Sequence, residues 1–516
     1  VPVGVNRTWV KQVEKGEFPH TRRLFSVMRC NHCTDAPCVE ICPVEALFFR
    51  DDGIVDFDKN RCIGCKSCMQ ACPYDALYID PENHTAAKCN YCAHRIDLGL
   101  EPACVNVCPE QAIISGDMDD PESEISRLLG REQVSVRKAS KGTQPNLFYI
   151  NGDEASLNPT ATERSDDYFW SSQTRGVGHF AKAAEKLAFS NGDVLQTLLA
   201  ANQQQATAGE VAQQGPAKSI DLMLGKARRV YDAPNKGLLW GWEVPAYVLA
   251  KSVSAGAFLT PFIAVGLGLA DLSGQTAWWA LSMGLIFLGL TGAFLVKDLD
   301  RPDRFLYVLL RPNFNSWLAK GGYIITVYGG LLTLLGVFRF MDWGSEPIMG
   351  GLYAVTAVVA VLTAIYTAFL FAQAKGRDFW QSPMLVLHML VHSFMAGGAV
   401  FSLIALFTDN GANWTNFLKL FLLVSLVANL VILWAELAVS HPTEDAKAVV
   451  SMILKGRYRS IFRWGSLMLG NFLPLFLIVV LPDNAAALAL ASVAVLAGIY
   501  ITEKIWVEAP QRISLA

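Results

Sequence analysis

The sequence predicts a multidomain chain, with a small α+β domain ahead of an all-α integral membrane domain of eight transmembrane helices. Three observations predict this. All twelve cysteines fall in three spaced quartets before residue 109. From Trp240 onward the chain carries eight apolar stretches in series. The 516 residues are 52% hydrophobic but only 17% charged, against about 25% charged in soluble proteins, and the mean hydropathy is +0.30. A net charge of −3 gives no support for a nucleic-acid partner.

The quartets come first in the chain. They read Cys30-x2-Cys33-x4-Cys38-x3-Cys42-Pro43, Cys62-x2-Cys65-x2-Cys68-x3-Cys72-Pro73 and Cys89-x2-Cys92-x11-Cys104-x3-Cys108-Pro109. The middle run has the spacing of a bacterial [4Fe–4S] loop. A disulfide framework belongs to small secreted domains and does not show this spacing. Zinc is the better rival, because paired CxxC motifs bind it too. The third close cysteine and the Cys-Pro ending favour iron–sulfur clusters. Short β-like stretches lie between the quartets, at Ala46–Phe49, Gly53–Phe57 and Ala76–Ile79. A CPxxA turn recurs at Cys42–Ala46, Cys72–Ala76 and Cys108–Ala112. This echo marks tandem ferredoxin-like units. In such units three close cysteines wrap one cluster and the fourth reaches its neighbour. One cluster then takes Cys30, Cys33, Cys38 and Cys72, and the other takes Cys62, Cys65, Cys68 and Cys42. The third quartet holds one cluster alone, or pairs with cysteines that precede Val1. No start methionine and no signal-type apolar run opens the sequence, and no apolar run follows Arg22 and Arg23.

The runs CNHCTDAPCVEICPVEA, CIGCKSCMQACPYDA and KCNYCAHR…PACVNVCPEQAI resemble the electron-transfer subunit of molybdopterin oxidoreductases. Polysulfide, dimethyl sulfoxide, thiosulfate and tetrathionate reductases belong to that family. The opening VPVGVNRTWVKQVEKGEFP and the tail SGDMDDPESEISRLL…TQPNLFYI are similar to it as well. The resemblance covers residues 1–150. It implies four quartets, paired first with fourth and second with third. Cys89, Cys92 and Cys104 would then share a cluster with a cysteine ahead of Val1, and Cys108 would complete another. Two clusters are complete within the chain, and up to four with that further quartet.

The expected division is an iron–sulfur domain at 1–160, a linker at 161–238, a quinone-binding membrane domain at 239–506 and a tail at 507–516. The linker turns polar and small, with helices expected at Val177–Phe189 and Gly192–Asn202. The apolar stretches run at about 244–270, 277–296, 317–338, 349–372, 384–407, 414–438, 465–482 and 486–503. Most reach the roughly 20 residues that cross a bilayer core. Trp240, Trp242, Trp278, Trp279, Trp317, Trp414 and Trp464 sit near their ends, as an aromatic belt would. Eight spans put both ends on one side. Near-side loops and tail carry Lys297, Arg301, Arg304, Arg311, Lys375, Arg377, Lys447, Lys455, Arg457, Arg459, Arg463, Lys504 and Arg512; the far side has Arg339 and Lys419. Positive charge marks the cytoplasmic face of the inner membrane, unless these loops serve to dock the cluster domain.

LLWGWEVPAYVLAKSVSAGAFL and LVKDLDRPDRFLYVLLRPNFNSWL resemble the membrane subunit of polysulfide reductase. That resemblance covers 231–516 and implies eight helices, no haem and a quinone site adjoining the electron-transfer subunit.

Ionisable groups inside a span are costly and mark function. Lys251, His388, His392 and Glu436 fall in near-side halves, and Asp298, Asp300, Arg301 and Arg304 follow the second helix on that side. Together they are the candidate quinone and proton site. Bland readings stand beside it: snorkelling for Lys251, a loop arginine as partner for Glu436, hydrogen-bonded packing for the histidines, and a structural ion-pair network for Asp298, Arg301 and Arg304. Only His388 and His392 lie in spans, and both are on one helix, so no bis-histidine haem is expected.

The resulting expectation is a respiratory redox subunit of an oxidoreductase complex. It would pass electrons between a partner's molybdopterin centre and the quinone pool, with the cluster domain cytoplasmic. The rivals are a periplasmic-facing polysulfide, thiosulfate or tetrathionate reductase subunit that oxidises quinol, and a coupling module of a larger respiratory complex.

Overall fold

The computed structural model describes residues 1–516 apart from 3–4, 17–19, 163–226, 233–235, 270–273 and 409–410. The two linker helices expected at Val177–Phe189 and Gly192–Asn202 lie outside the described residues.

Strands β1 (Thr8–Lys15) and β2 (Arg22–Arg29) form an antiparallel pair. Inside the stretch expected as linker, Ala227–Tyr231 pairs antiparallel with the free edge of β1. Two matching units follow. Each has a one-turn helix (Pro37–Glu40, Ser67–Ala71) and then a hairpin (Leu47–Phe49 with Val55–Phe57, Leu77–Asp80 with Thr85–Lys88). Three of the four hairpin strands fall on the stretches expected as β-like, and Thr85–Lys88 lies outside them.

The threefold echo has a backbone cause. The residue before the second cysteine of each CxxC has positive φ: His32, Gly64 and Tyr91 at 42°, 70° and 56°. So does the residue before each CPxxA alanine: Glu45, Asp75 and Gln111 at 52°, 55° and 48°. The left-handed step turns the alanine N–H back onto the cysteine sulfur, at 3.2 Å for Ala46 on Cys42 and 3.2 Å for Ala112 on Cys108.

Among the described residues, eight helices are long and apolar enough to cross a membrane. They are α1 (Glu243–Gly266), α2 (Gln275–Lys297), α3 (Trp317–Phe340), α4 (Glu346–Gln373), α5 (Met384–Ile404), α6 (Gly411–Ala438), α7 (Ile461–Val480) and α8 (Ala485–Gln511). α1 and α5 are central and the most enclosed. They touch where Gly256 faces Gly397, with no room for a Cβ on either, the small-residue packing that membrane helices use in place of a hydrophobic drive. α7 opens as a wide π-helix over Ile461–Phe472, and Asn471 Nδ2 donates to the Ser466 carbonyl at 2.8 Å.

The two halves share one apolar core. It runs from Ile41, Val44, Ile63 and Met69 through Trp240, Phe371 and Trp380 to Met389 and Trp506. Polar contacts from three near-side loops fix the seam. Asn313 donates to the Cys42 carbonyl at 2.9 Å, and Ser316 Oγ to the Ile41 carbonyl at 2.6 Å. The Asp300 and Arg301 amides donate to the Gly64 and Ile63 carbonyls. Arg304 reaches the Lys59 and Cys62 carbonyls. Buried Arg377 donates to Gln70 Oε1 at 2.9 Å and to the Pro510 and Ile513 carbonyls at 3.0 and 2.8 Å. Burial lowers its pKa to about 10, which still leaves a cation at neutral pH. Lys138 and Lys141 of the cluster domain pair with Asp445 and Asp378. Part of the near-side basic charge therefore serves docking.

Gly64 marks the tightest point of the seam. At φ +70° it is in a glycine conformation, and a Cβ there would lie 2.7 Å from the Asp300 Cβ and 3.1 Å from its amide. Gly53, at φ +77°, has nothing within 4 Å. Gly53→Ala therefore pays only backbone strain, whereas Gly64→Ala adds a clash across the seam. The expected extra loss is about 1–3 kcal/mol, read as a lower denaturation midpoint of the purified chain for Gly64→Ala than for Gly53→Ala. Equal midpoints would contradict it.

Candidate functional site

The cysteines of the first two quartets gather as two cavities, each taking three close cysteines from one quartet and the fourth from the other. Cys62, Cys65, Cys68 and Cys42 line one, with Val44, Leu47, Phe57 and Ile63. Cys30, Cys33, Cys38 and Cys72 line the other, with Ala36, Val55 and Leu77. An all-sulfur donor set in an apolar wall fits a [4Fe–4S] cluster. Backbone amides point at the sulfurs, Gly64 and Ala86 both at Cys62, at 3.4 and 3.3 Å. Lys88 is wholly buried beside Cys30, at 3.5 Å from its sulfur, and also holds the Val55 and Cys89 carbonyls. Burial alone would raise the Cys30 thiol, but His32 and Lys88 bring it down to about 5. In the third quartet Cys89 is buried, while Cys92, Cys104 and Cys108 are partly exposed. Arg29 reaches Cys104 at 3.3 Å.

In the membrane half, helix packing joins groups that lie far apart in the chain. His388 and His392 are one turn apart on α5, with ring centroids 4.2 Å apart. His388 Nδ1 meets Glu436 Oε2 of α6 at 2.8 Å. His392 Nδ1 meets Glu503 Oε1 of α8 at 2.7 Å. His388 Nε2 lies 3.6 Å from the same Glu503 oxygen. Trp506 Nε1 donates to Glu436 Oε2 at 3.1 Å. Lys251 on α1 is wholly buried and does not snorkel. Its Nζ donates to the Ala364 carbonyl and Thr367 Oγ1, each at 2.8 Å, touches Met389 Sδ at 3.8 Å and lies 4.9 Å from the Tyr366 ring centre. Lys251, His392 and Glu503 are each eight residues from the helix end facing the cluster domain, or about 12 Å along the axis.

Asp298, Arg301 and Arg304 stand apart, at the seam. Lys66 donates to the Asp298 carbonyl at 3.0 Å and pairs with Asp300 at 3.2 Å. Arg301 pairs with Asp303 and reaches the Asn83 carbonyl at 3.3 Å. Glu436 pairs with His388 and Trp506 rather than with a loop arginine.

The sequence does not single out Glu503, because the Glu503-Lys504 pair reads as the end of a span. The missed signal is the apolar spacing of Ile499, Ile505, Trp506 and Val507, which continues the helix.

Trp240 is buried, not part of a belt. Its Nε1 donates to the Cys65 carbonyl at 3.1 Å, and its ring stacks on Trp380 and Phe371 at 5.5 and 5.7 Å. Trp380 Nε1 donates to the Trp506 carbonyl at 2.8 Å, and the Trp506 ring lies 5.3 Å from His388. A packed aromatic route thus runs from the Cys65 cavity to the His388–Glu436 pair.

Residues 232–505 match the polysulphide reductase, NrfD family. That is more than half of the chain. The protein belongs to the NrfD polysulphide reductase family. Its membrane helices α1–α8 and their buried His–Glu pairs are thus the NrfD part of the chain, and residues 21–118 match a 4Fe-4S dicluster domain. The NrfD-family chain is also similar to a tetrathionate reductase subunit of Salmonella typhimurium, 45% identical over 162 residues, covering 31% of this chain and 65% of the relative. An NrfC homolog of Haemophilus influenzae is 45% identical over 153 residues, at 29% and 68% coverage. A polysulfide reductase chain of Wolinella succinogenes is 41% identical over 155 residues, at 29% and 80%. The chain thus spans about two thirds of the length of the first two relatives. It joins in one polypeptide an iron–sulfur part and an NrfD membrane part.

Proposed function

We propose that this chain carries electrons between a molybdopterin catalytic subunit and the membrane quinone pool, and that quinone reacts beside Lys251, His388, His392, Glu436 and Glu503. The catalytic centre would sit on the partner. The division at 1–160, 161–238, 239–506 and 507–516 is part of this reading. The carrying observation is the unbroken packing from Cys65 through Trp240, Trp380 and Trp506 to His388. [4Fe–4S] clusters, when bound, supply one-electron steps in series. Cys42, Cys62, Cys65 and Cys68 would hold the one nearest the membrane, and Cys30, Cys33, Cys38 and Cys72 its neighbour. No haem is part of the reading.

Full reduction of a quinone takes up two electrons and two protons. Lys251 Nζ and the imidazoles are hydrogen-bond donors for its two oxygens. The His388–Glu436 and His392–Glu503 pairs each hold a proton that can be passed on. Asp298 follows α2 at the seam and keeps a partly exposed side chain. Burial pushes its carboxyl up to about 7, with Lys66 opposing, which suits proton entry at neutral pH. Below about pH 4 folded and unfolded chains both keep this proton. As pH rises to about 7 only the folded chain keeps it, so stability falls across that window. Asp298→Asn is expected to flatten this fall and to shift the quinone pH–rate profile; a wild-type profile would remove Asp298 from the proton route.

Arg311, Lys447, Lys455, Arg457, Arg459 and Arg463 remain exposed on the cluster-domain side, while Arg339 and Lys419 stand on the other. This charge bias supports a cytoplasmic cluster domain in the inner membrane, and quinone reduction fed by a cytoplasmic substrate, with sulfite a candidate. The names of the relatives, reductases of tetrathionate, polysulfide and thiosulfate, favour a second reading, an exported cluster domain with quinol oxidation. Protease digestion of inside-out and right-side-out vesicles separates the two: cleavage of the cluster domain from the periplasmic side would overturn the cytoplasmic reading.

A further inference from the structure

We propose that His388, His392 and Glu503 form a binding site for a divalent transition-metal cation of the zinc(II) type, in the near-side half of the membrane domain. The two histidines stand at i and i+4 on α5 and share a face, and the carboxylate comes from α8. One ligand atom from each residue can be chosen so that all lie within 4.8 Å of one another. All three side chains are wholly buried. Three of their polar atoms, His388 Nε2, His392 Nε2 and Glu503 Oε2, are buried without a hydrogen-bond partner. Leaving three such atoms unsatisfied in an apolar interior is costly, and each is a competent metal donor.

The surroundings also match a metal site. Glu436 holds His388 by Nδ1 and is itself fixed by Trp506 Nε1. That leaves His388 Nε2 on the Glu503 side. A carboxylate behind a histidine is the usual second-layer support for a metal ligand. Two imidazoles and one carboxylate form a donor set of three-ligand zinc sites, which keep a fourth position open. Charge points the same way. Two carboxylates, Glu436 and Glu503, are buried together, while the Lys251 ammonium donates to the Ala364 carbonyl and Thr367 instead. A divalent cation compensates both carboxylates and keeps both imidazoles neutral. It thereby withdraws both His–Glu pairs from proton exchange, so it slows quinone turnover. This last consequence rests on the function proposed above; the site itself does not.

The test uses the purified holo-complex with its clusters intact. It is washed with chelator and titrated with zinc(II), and bound zinc is read by elemental analysis and zinc-edge X-ray absorption. One zinc per chain is expected beyond the iron, with a nitrogen and oxygen shell and no sulfur. His392→Asn and Glu503→Gln should each weaken zinc binding more than about 100-fold, and Glu436→Gln about 10–100-fold. Iron content per chain shows that each variant is folded. Should a ligand variant fail that check, the graded loss in Glu436→Gln carries the test. Sulfur in the zinc shell, no bound zinc, or unchanged affinity in folded variants overturns the site. Zinc bound in the expected shell without any loss of wild-type quinone turnover upholds the site and overturns instead the proton role of the two pairs.

Discussion

His392→Ala lowers quinone turnover about 10²–10⁴-fold, while the clusters remain reducible by an artificial donor. The imidazole is one of two on α5, and its Nδ1 lies 2.7 Å from Glu503. Removing it deletes a proton carrier and leaves a buried carboxylate without that partner. Lys251→Ala is expected to act in the same direction by a different route. It deletes the only ammonium that the described part of α1 carries and leaves the Ala364 carbonyl and Thr367 without their donor. Stopped-flow reduction of the clusters and steady-state quinone assays on the same preparation separate transfer into the chain from chemistry at its end. Full quinone activity in both variants would place the quinone elsewhere.

On the proposed pairing, Cys68→Ser disturbs the cluster that Cys42 would complete, and Cys72→Ser disturbs the one that Cys30, Cys33 and Cys38 would hold. The second result is the sharper one, because Cys72 belongs by sequence to the middle quartet and by position to the cavity lined by Cys30, Cys33 and Cys38. In that cavity serine offers oxygen where three sulfurs remain. Iron content is expected to fall by about one cluster's share, and the electron paramagnetic resonance signal of one reduced cluster to change while its neighbour's survives. A Cys72→Ser chain with unaltered spectra would contradict the exchange of cysteines between quartets.

The gathering of Cys42 with the middle quartet, and of Cys72 with the first, was legible in the sequence because it follows from spacing. A CxxC followed closely by a third cysteine curls around one centre and sends the fourth away. The eight helices were legible too, since each is long and apolar, and the ends of α2 and α5 fall within a few residues of expectation. What could not be read was anything decided by contact between distant parts. Trp240 looks like a belt residue in the sequence, but the cluster domain covers it and its indole finds the Cys65 carbonyl. Arg377 looks like a topology signal, but it is an anchor for Gln70 and for the chain around Ile513. Glu503 looks interfacial because a lysine follows it. Yet α8 continues to Gln511, which bonds Gln70 of the cluster domain and the Trp240 carbonyl. His388 and His392 were visible as a pair. Their partners on α6 and α8 were fixed only by how three helices pack.

The shared core of the two halves bears on what the connecting segment is for. Ala227–Tyr231 lies beyond residues 163–226 in sequence, yet it completes the sheet edge of β1. A single cut between Thr162 and Ala227 would therefore leave a non-covalent heterodimer, held by the sheet edge, the buried aromatic stack and the loop anchors. The tether then acts through probability of encounter. It delivers one cluster domain to each membrane domain as they are made, because their association is then an event within one chain. Equal stoichiometry is thereby written into a single reading frame, and once docking is complete cohesion no longer depends on the tether.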